Sequence, residues 1–206
     1  MYRLHRKYID FKARMISRWA VFLNRSKSIE IGSGLNCSEL PNIWVTGNAK
    51  VKIGNNVTIK KGVEIRAHGD AELIIGDKTK IDDGVRIIAT NTSKVEIGKN
   101  SKLGFHSVLN GGGGIKIGDN TSFYGFVYVQ SSSHNFKDKS PINQQGFSHG
   151  QVEIGSNVLV GANAVILPGV KIDDSCLIGA NSVVSKSIQG NNIAFGVPCK
   201  VHSKMN

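Results

Sequence analysis

The chain has 206 residues, of which 40% are apolar and 20% are charged, and these values fit one soluble domain with a sizeable core. Its 24 glycines are spread along the sequence, which favours many tight corners over a disordered segment. Three widely separated cysteines, Cys37, Cys176 and Cys199, argue against a disulfide framework and favour a reducing compartment.

The first 28 residues are strongly basic. They hold eight lysines and arginines against one acid, Asp10, and so carry +7 of the formal net charge of +11. The longest apolar run, residues 20–23, is too short for a signal peptide, and no stretch has the length of a membrane span. Apolar residues recur at steps of three and four, which predicts an amphipathic helix. This apolar stripe contains Leu4, Tyr8, Phe11, Met15, Trp19 and Phe22.

Two kinds of partner fit a basic amphipathic helix within residues 1–28. The helix could pack on the rest of the chain or on a neighbouring subunit. Alternatively, it could rest on an anionic membrane surface, with its apolar stripe in the lipid and its charges at the headgroups. Nucleic acid is not expected as a partner, because no binding motif accompanies the charge.

An internal repeat begins after this segment. An Ile-Gly pair recurs at residues 31, 53, 75, 97, 117 and 154, and a finer period of six lies within each unit. The longest unbroken run of that period contains Ile154, Val160, Ile166, Ile172, Ile178 and Val184. The residue four places after each large aliphatic residue is usually small or β-branched, and Gly, Asn or Asp fills the places between.

A period of six predicts a short strand followed by a corner. Three such units make a triangular coil of about 18 residues, and stacked coils pair in parallel about 4.8 Å apart. The large residue and the small residue four places later both point into the prism, so Cys176 is predicted to be structural. The longer early units predict small excursions at a corner, such as residues 67–73.

The repeat breaks at His134, the sixth residue of the hexad that begins at Val129. An irregular excursion is predicted for residues 135–151, and the next clear hexad begins at Ile154. A long loop on a rigid scaffold is usually functional. The repeat domain is predicted to span residues 29–200, and residues 201–206 form a C-terminal tail.

The C-terminal block carries a resemblance to a known family. "VEIGSNVLVGANAVILPGVKIDDSCLIGANSVVSKSI" followed by "IAFGVPCKV" resembles the corresponding block of hexapeptide-repeat O-acetyltransferases. It is similar to the galactoside and maltose enzymes and to the sugar O-acetyltransferases of capsule and lipopolysaccharide assembly. The resemblance implies an all-β, left-handed parallel β-helix, a homotrimer, acetyl-CoA as acetyl donor and no metal.

The resemblance also implies roles for individual residues. His134 matches the general base that takes the proton of a sugar hydroxyl, and the main-chain amide of Ala162 matches the donor to the oxyanion. Ala180, Ser185 and Lys186 match positions that contact coenzyme A. Lys200 matches a basic residue near the adenosine phosphate of coenzyme A.

The acceptor side departs from the family pattern. Asn110 matches a substrate contact, but the following acidic position of the galactoside and maltose enzymes falls within Gly111 to Gly114. These glycines could instead let an acceptor or a neighbouring backbone approach closely. His149, within the excursion, is a second candidate for an acceptor contact.

The sequence therefore predicts a cytoplasmic O-acetyltransferase for a sugar, most simply a precursor of a cell-surface polysaccharide, with peripheral membrane contact as an option. The alternatives are an N- or O-acetyltransferase for a nucleotide amino sugar, a free sugar or an antibiotic, and a structural β-helix without catalysis. A zinc-dependent β-helix carbonic anhydrase is not expected, because the sequence has no pair of histidines five residues apart.

Overall fold

The computed structural model describes residues 2–24 and 26–205, with side chains from Phe11 onward. In these ranges, an N-terminal helix, α1 (Tyr2–Leu23), precedes 25 strands, of which 22 run parallel in a β-helix of triangular cross-section. The predicted fold class, a left-handed parallel β-helix with an N-terminal helix and one protruding loop, is confirmed. No helix in the described ranges is both long and apolar enough to cross a bilayer.

Three sheets form the faces of the prism. Sheet A contains β1 (Ile29–Ile31), β4 (Lys50–Ile53), β7 (Glu72–Ile75), β10 (Lys94–Ile97), β13 (Ile115–Ile117), β18 (Val152–Ile154) and β21 (Lys171–Ile172). Sheet B contains β2 (Asn36–Cys37), β5 (Thr58–Ile59), β8 (Lys80–Ile81), β11 (Lys102–Leu103), β14 (Ser122–Phe123), β19 (Leu159–Val160), β22 (Leu177–Ile178), β24 (Asn192–Phe195) and the antiparallel β25 (Lys200–Lys204). Sheet C contains β3 (Asn42–Val45), β6 (Glu64–Ala67), β9 (Arg86–Ala89), β12 (Val108–Gly111), β15 (Tyr128–Gln130), β20 (Val165–Ile166) and β23 (Val183–Val184).

The chain passes through sheets A, B and C in turn, so the prism has three edges. We call these edge AB, edge BC and edge CA after the sheets that they join. The inward residues of one coil, such as Ile53, Ile59 and Ile65, are buried. Cys176 also lies inside, as predicted, and burial raises the pKa of its thiol.

The extra residues of the early coils lie near edge CA. Much of the added length extends the strands to four residues, as in β6 and β7, and only residues 68–71 form the turn between them. The predicted excursion over residues 67–73 is therefore shorter than expected. Parallel ladder bonds such as His68 N–H to the Ala89 carbonyl (3.0 Å) favour continued pairing over a loop.

Helix α1 packs on the first coil through one side only. Ser17 and Ala20 are buried against the coil, and the Ser17 hydroxyl accepts a hydrogen bond from the N–H of Cys37 at 2.8 Å. Burial raises the pKa of the Cys37 thiol to about 11. The helix therefore closes the N-terminal end of the core.

The predicted apolar stripe of α1 lies on the other side of the helix. At 100° per residue, it is nearly opposite Ser17 and Ala20. Leu4 and Tyr8 fall outside the residues whose side chains are described. The stripe residues in the described part are all exposed, namely Phe11, Met15, Trp19 and Phe22. The helix does pack on the body, but the stripe does not make that contact.

The excursion after β15 is a β-hairpin. Strands β16 (Ser132–His134) and β17 (Phe147–His149) pair in antiparallel register, and a single 3-10 turn spans Ile142–Gln144. The segment is thus more regular than the predicted irregular loop. The polar sequence hides this regularity, because both strands are only three residues long and exposed for most of their length.

The glycine run, residues 111–114, supports the base of this hairpin. The N–H of Gly113 donates to the Ser131 hydroxyl (2.9 Å), and the N–H of Gly150 donates to the Ser131 carbonyl (2.9 Å). A Cβ atom at Gly113 would stand 2.3 Å from that same carbonyl oxygen. The run therefore lets a neighbouring backbone approach, which is one of the two uses expected from the sequence.

We expect Gly113→Ala to displace the hairpin while the solenoid stays folded. The added methyl meets a backbone atom that cannot move without breaking the Ser131 contacts. Limited proteolysis should cut residues 135–149 faster in the variant, and circular dichroism should keep the β signal.

The matched control is Gly169→Ala on the same edge. Its Cβ would meet nothing within 4 Å, so the substitution adds only the cost of a residue at φ +78°, about 1 kcal/mol. Equal protection of the hairpin in both variants would contradict the proposed support.

Candidate active site

The predicted site residues lie on two different edges of the prism. Asn110, at the end of β12, lies at edge CA. The same edge holds His134 and His149 on the hairpin and Ser185 and Lys186 directly after β23. The remaining predicted residues lie at edge BC, namely Ala162, Ala180 and Lys200.

His134 is exposed and is supported from one side. Its ring lies 4.2 Å from the ring of Phe147, centroid to centroid, across the paired strands of the hairpin. Within the described part of the chain, its ring nitrogens have no hydrogen-bond partner. The ring is therefore held in place by contact with Phe147 and open to a reactant.

His149 and Asn110 support the hairpin. The Nδ1 atom of His149 is 2.9 Å from the hydroxyl of Ser132. The backbone carbonyl of Asn110 accepts hydrogen bonds from the N–H (3.0 Å) and the hydroxyl (3.1 Å) of Ser131. These contacts connect both residues to the strand that carries His134, and the half-buried Asn110 side chain lies beside Gln130 in the sheet.

Edge BC presents free backbone donors in the C-terminal coils. The N–H groups of Ala162 and Ala180 have no acceptor within residues 26–205. The two residues stack one coil apart, because the N–H of Asn181 donates to the Ala162 carbonyl at 2.8 Å. Both side chains are only methyl groups, so the donors remain accessible from outside.

Edge AB shows how such amides are satisfied elsewhere. There, a carboxylate of the next coil accepts the corner N–H. Such bonds, all 2.7 Å long, join Asn55 to Asp77, Lys99 to Asp119 and Ser156 to Asp174. The bond from the Asn55 N–H lowers the pKa of Asp77 below its usual range.

The sequence contained a signal for these free donors. The acceptors of edge AB recur at the corner position as Asn55, Asp77, Asp119 and Asp174. Edge BC has such an acceptor in an early coil, where the Asp83 carboxylate accepts the N–H of Lys61 at 3.1 Å. At the matching position of the C-terminal coils, Ala162 and Ala180 carry no acceptor. This contrast becomes interpretable only when the two corners are assigned to different edges.

Lys200 lies near the C-terminal end of edge BC. The turn before it is held beneath the last complete coil, where the N–H of Gly196 donates to the Ser182 hydroxyl (3.1 Å) and that of Cys199 to the Val183 carbonyl (2.8 Å). The Lys200 side chain is exposed, as are Ser185 and Lys186 at edge CA.

One chain does not bring the two groups together. The width of sheet C separates edge BC from edge CA, a distance of about 15–20 Å for six extended residues. A reaction that uses both His134 and the Ala162 amide therefore needs edge CA of one chain beside edge BC of another.

Part of the chain is similar in sequence to known acetyltransferases. Residues 151–186 match the family model described as bacterial transferase hexapeptide (six repeats). The galactoside O-acetyltransferase of Escherichia coli (strain K12) is 35% identical over 92 residues, which cover 45% of each chain. That of Lactococcus lactis subsp. lactis (strain IL1403) is 33% identical over 93 residues, covering 45% of this chain and 44% of the relative. These matches span less than half the length of either relative.

A solved structure matches over a longer stretch. A variant of AntD, an N-acyltransferase from Bacillus cereus in complex with dTDP-4-amino-4,6-dideoxyglucose and coenzyme A, superposes with a TM-score of 0.55. The superposition covers 92% of this chain and 89% of AntD at 21% identity, which establishes a shared fold alone. Residues 151–186 therefore match bacterial transferase hexapeptide repeats, within a chain whose three parallel sheets form one solenoid.

Proposed function

We propose that this protein is an acetyl-CoA-dependent O-acetyltransferase that acts on a sugar hydroxyl. The observation that carries the proposal is the pair of free backbone donors at Ala162 and Ala180, on a different edge from His134. Such donors match the oxyanion of an acyl transfer, and an open imidazole matches its general base. The similarity to two galactoside O-acetyltransferases supports the same chemistry.

The proposed reaction is a direct transfer. His134 accepts the proton of the sugar hydroxyl while that oxygen attacks the thioester carbonyl carbon. The N–H of Ala162 donates to the oxyanion that forms. The carbon–sulfur bond then breaks, and His134 returns the proton to the leaving thiolate, so an acetyl ester and a free thiol result.

The proposed active site lies between chains of a homotrimer. Sheet C carries a half-buried outer stripe of Val108, Tyr128, Val165 and Val183, which are in register on adjacent strands. Sheet A carries ion pairs on its outer face, such as Lys94 with Glu96 at 3.0 Å. Sheet C carries such a pair in its earlier coils, between Arg86 and Glu64 at 2.8 Å, but the four residues of this stripe are all uncharged. Sheet C is therefore the better packing face, and its two edges are the ones that must meet.

The donor would extend from Ala162 toward the C-terminal end of edge BC. Ala180 offers a second N–H one coil further on, and Lys200 adds a positive charge suited to the 3′-phosphate of coenzyme A. Ser185 and Lys186 would contribute from edge CA of the neighbouring chain. A coenzyme A complex of AntD, which shares the fold, is compatible with this placement.

We further propose that the acceptor is a cell-surface polysaccharide precursor in the cytoplasm, presented at the membrane. The three cysteines are free, which fits a reducing compartment. The exposed stripe on α1 fits lipid, and the exposed Lys12, Arg14 and Arg18 beside it fit anionic headgroups. A nucleotide amino sugar is the second candidate acceptor, because the AntD structure holds one.

The His134→Ala variant tests the general base. Acetyl transfer to methyl galactosides and to glycan precursors from the native host should fall by about 10²–10⁴-fold, because no other group takes the hydroxyl proton. Coenzyme A affinity and melting temperature should stay near those of the unchanged protein.

The control for that variant is His68→Ala, a half-buried histidine on another coil. It contacts Thr46 and lies on the hairpin side of the prism without reaching the hairpin. Full activity of His134→Ala would rule out the mechanism, whereas loss in both variants would indicate a general structural effect.

The Lys200→Ala variant tests the phosphate contact. The dissociation constant for coenzyme A should rise about tenfold, because a charge-assisted contact is lost, while that for dephospho-coenzyme A should barely change. Isothermal titration calorimetry measures both ligands. Lys204→Ala, on the same strand β25, is the matched control, and equal losses for both ligands would remove Lys200 from the phosphate site.

Outward substitutions on α1 test membrane contact. Deleting the helix would also uncover the end of the core at Cys37, so Phe11→Ser with Trp19→Ser is the cleaner variant. The unchanged protein should sediment with phosphatidylglycerol vesicles at low salt and be released by high salt. The double variant should remain in the supernatant with an unchanged melting temperature.

The control for membrane contact is Trp44→Ser, since Trp44 and Trp19 are both 54% exposed. If the unchanged protein does not bind anionic vesicles, the membrane proposal is wrong. If the double variant instead loses its oligomeric state in sedimentation analysis, the stripe contacts a neighbouring subunit.

A further inference from the structure

Four aromatic residues lie on edge BC, on the coils just before Ala162. We call Phe105, His106, Tyr124 and Phe126 the aromatic corner. All four are exposed. The rings of Phe105 and Phe126 meet edge to face at 5.0 Å, and the ring of His106 stacks on that of Phe126 at 5.4 Å and 17°.

The backbone at this corner disfavours such side chains. His106 and Phe126 have φ of +53° and +61°, values that glycine and asparagine adopt far more readily. The matching corner residues of the other coils follow that preference, being Gly62, Gly84, Asn163 and Asn181. The two aromatic residues are thus exceptions to these residues of edge BC, although Lys78 and Ser175 adopt the same conformation on edge AB. Large rings at such a position indicate a use other than folding.

Neighbouring glycines make room for the rings on the corner backbone. A Cβ at Gly125 would lie 2.6 Å from the Cζ of Phe105, and one at Gly84 would lie 2.4 Å from the Nδ1 of His106. The rings therefore lie close over the backbone of the adjacent coils. The result is a preorganised aromatic surface with an imidazole and a phenol at its margins.

The position of the aromatic corner relates it to the proposed reaction. Tyr124 and Phe126 belong to the same coil as β15, which leads directly into His134. In an assembly with a rotation axis along the prism, equal coils of neighbouring chains stand at equal height. His134 of one chain would then face the aromatic corner of the next, with the free amides of Ala162 and Ala180 on its C-terminal side.

We propose that the aromatic corner binds a pyranose ring of the acceptor by stacking. Because the rings of Phe105 and Phe126 are nearly perpendicular, the apolar C–H face of the sugar would stack on one of them and contact the edge of the other. Its hydroxyls would face the polar atoms of His106 and Tyr124. The inference rests on the proposed acetyl transfer and adds to it a binding site for the acceptor. The donor would then lie toward the C-terminal end of edge BC and the acceptor toward its N-terminal end. His134 of the neighbouring chain would lie between them.

Substitution by the residue that other coils use gives a sharp test. Phe126→Asn with His106→Asn restores the ordinary corner residue, so the melting temperature should stay equal or rise. Pyranose binding should nevertheless fall about tenfold. Trp19→Ser, which changes an exposed aromatic residue on α1, is the control and should change neither property.

Binding is measured without any donor. Saturation-transfer NMR with irradiation of the aromatic protons would use methyl β-galactopyranoside and methyl α-glucopyranoside, because stacking accepts the apolar face of many pyranoses. Signal in the unchanged protein and its loss in the double variant would support the site. Absence of signal in the unchanged protein, or its persistence in the double variant, would overturn it.

Two further outcomes separate this inference from the proposed function. The unchanged protein could bind the pyranose without catalysing acetyl transfer, while the double variant loses that binding. This result would support the sugar site and reject the proposed activity. If instead the double variant transfers acetyl with an unchanged KM for the acceptor, the proposed activity is supported and the sugar site is rejected. Dissociation of the oligomer by the double substitution would show that a second copy of the chain covers the corner, and would also reject the site.

Discussion

The structure depends on one constraint, which is that each coil finds its backbone hydrogen-bond partners only in the coils before and after it. The parallel strands of the coils are two to four residues long, so the register must be set again after every corner. A buried aliphatic residue every six positions fixes that register from inside, because a shift by one residue would turn it outward. The interior is therefore uniform, and differences between coils appear at the edges.

The three edges use their freedom differently. At edge AB, carboxylates of the next coil accept the corner N–H groups of Asn55, Lys99 and Ser156, which contributes to stability. Edge CA tolerates inserted residues, since its turns vary in length and the hairpin leaves the prism there. Edge BC leaves amides without acceptors in the C-terminal coils and carries aromatic residues at positive φ in the coils before them. Unmet donors and strained corners cost stability, and such costs are typical of functional positions.

The sequence predicts the solenoid well because its six-residue period is the spacing of the buried aliphatic residues. Ile53, Ile59 and Ile65 mark three faces of one coil whatever lies outside it. The side of α1 that packs on the body is harder to predict from the sequence, because Ser17 and Ala20 do not form an apolar stripe. Small residues allow the helix to approach the coil closely, while the large apolar stripe, which periodicity identifies first, remains outside. Hydrophobic periodicity gives the existence of the helix but not which side contacts the body.

The candidate site shows a similar limit. The family resemblance assigns His134, Ala162 and Lys200 to short sequence motifs. It does not give the distances between these residues within one chain. That separation follows from which edge each corner occupies, and corner assignment requires counting strands through the hairpin and the longer early coils. The short polar strands β16 and β17 have no apolar period that could have revealed them.

The division of the site between two edges has a consequence for how the proposed enzyme would be built. His134 is mounted on a hairpin whose base depends on Ser131 and the glycine run, whereas the amide donors belong to the rigid ladder of edge BC. In the proposed assembly, the base and the oxyanion donor thus come from different chains, and only packing of sheet C sets their distance. Stability of one prism and competence of the site then become separate properties. The first depends on the buried hexads, and the second depends on the half-buried outer stripe of Val108, Tyr128, Val165 and Val183.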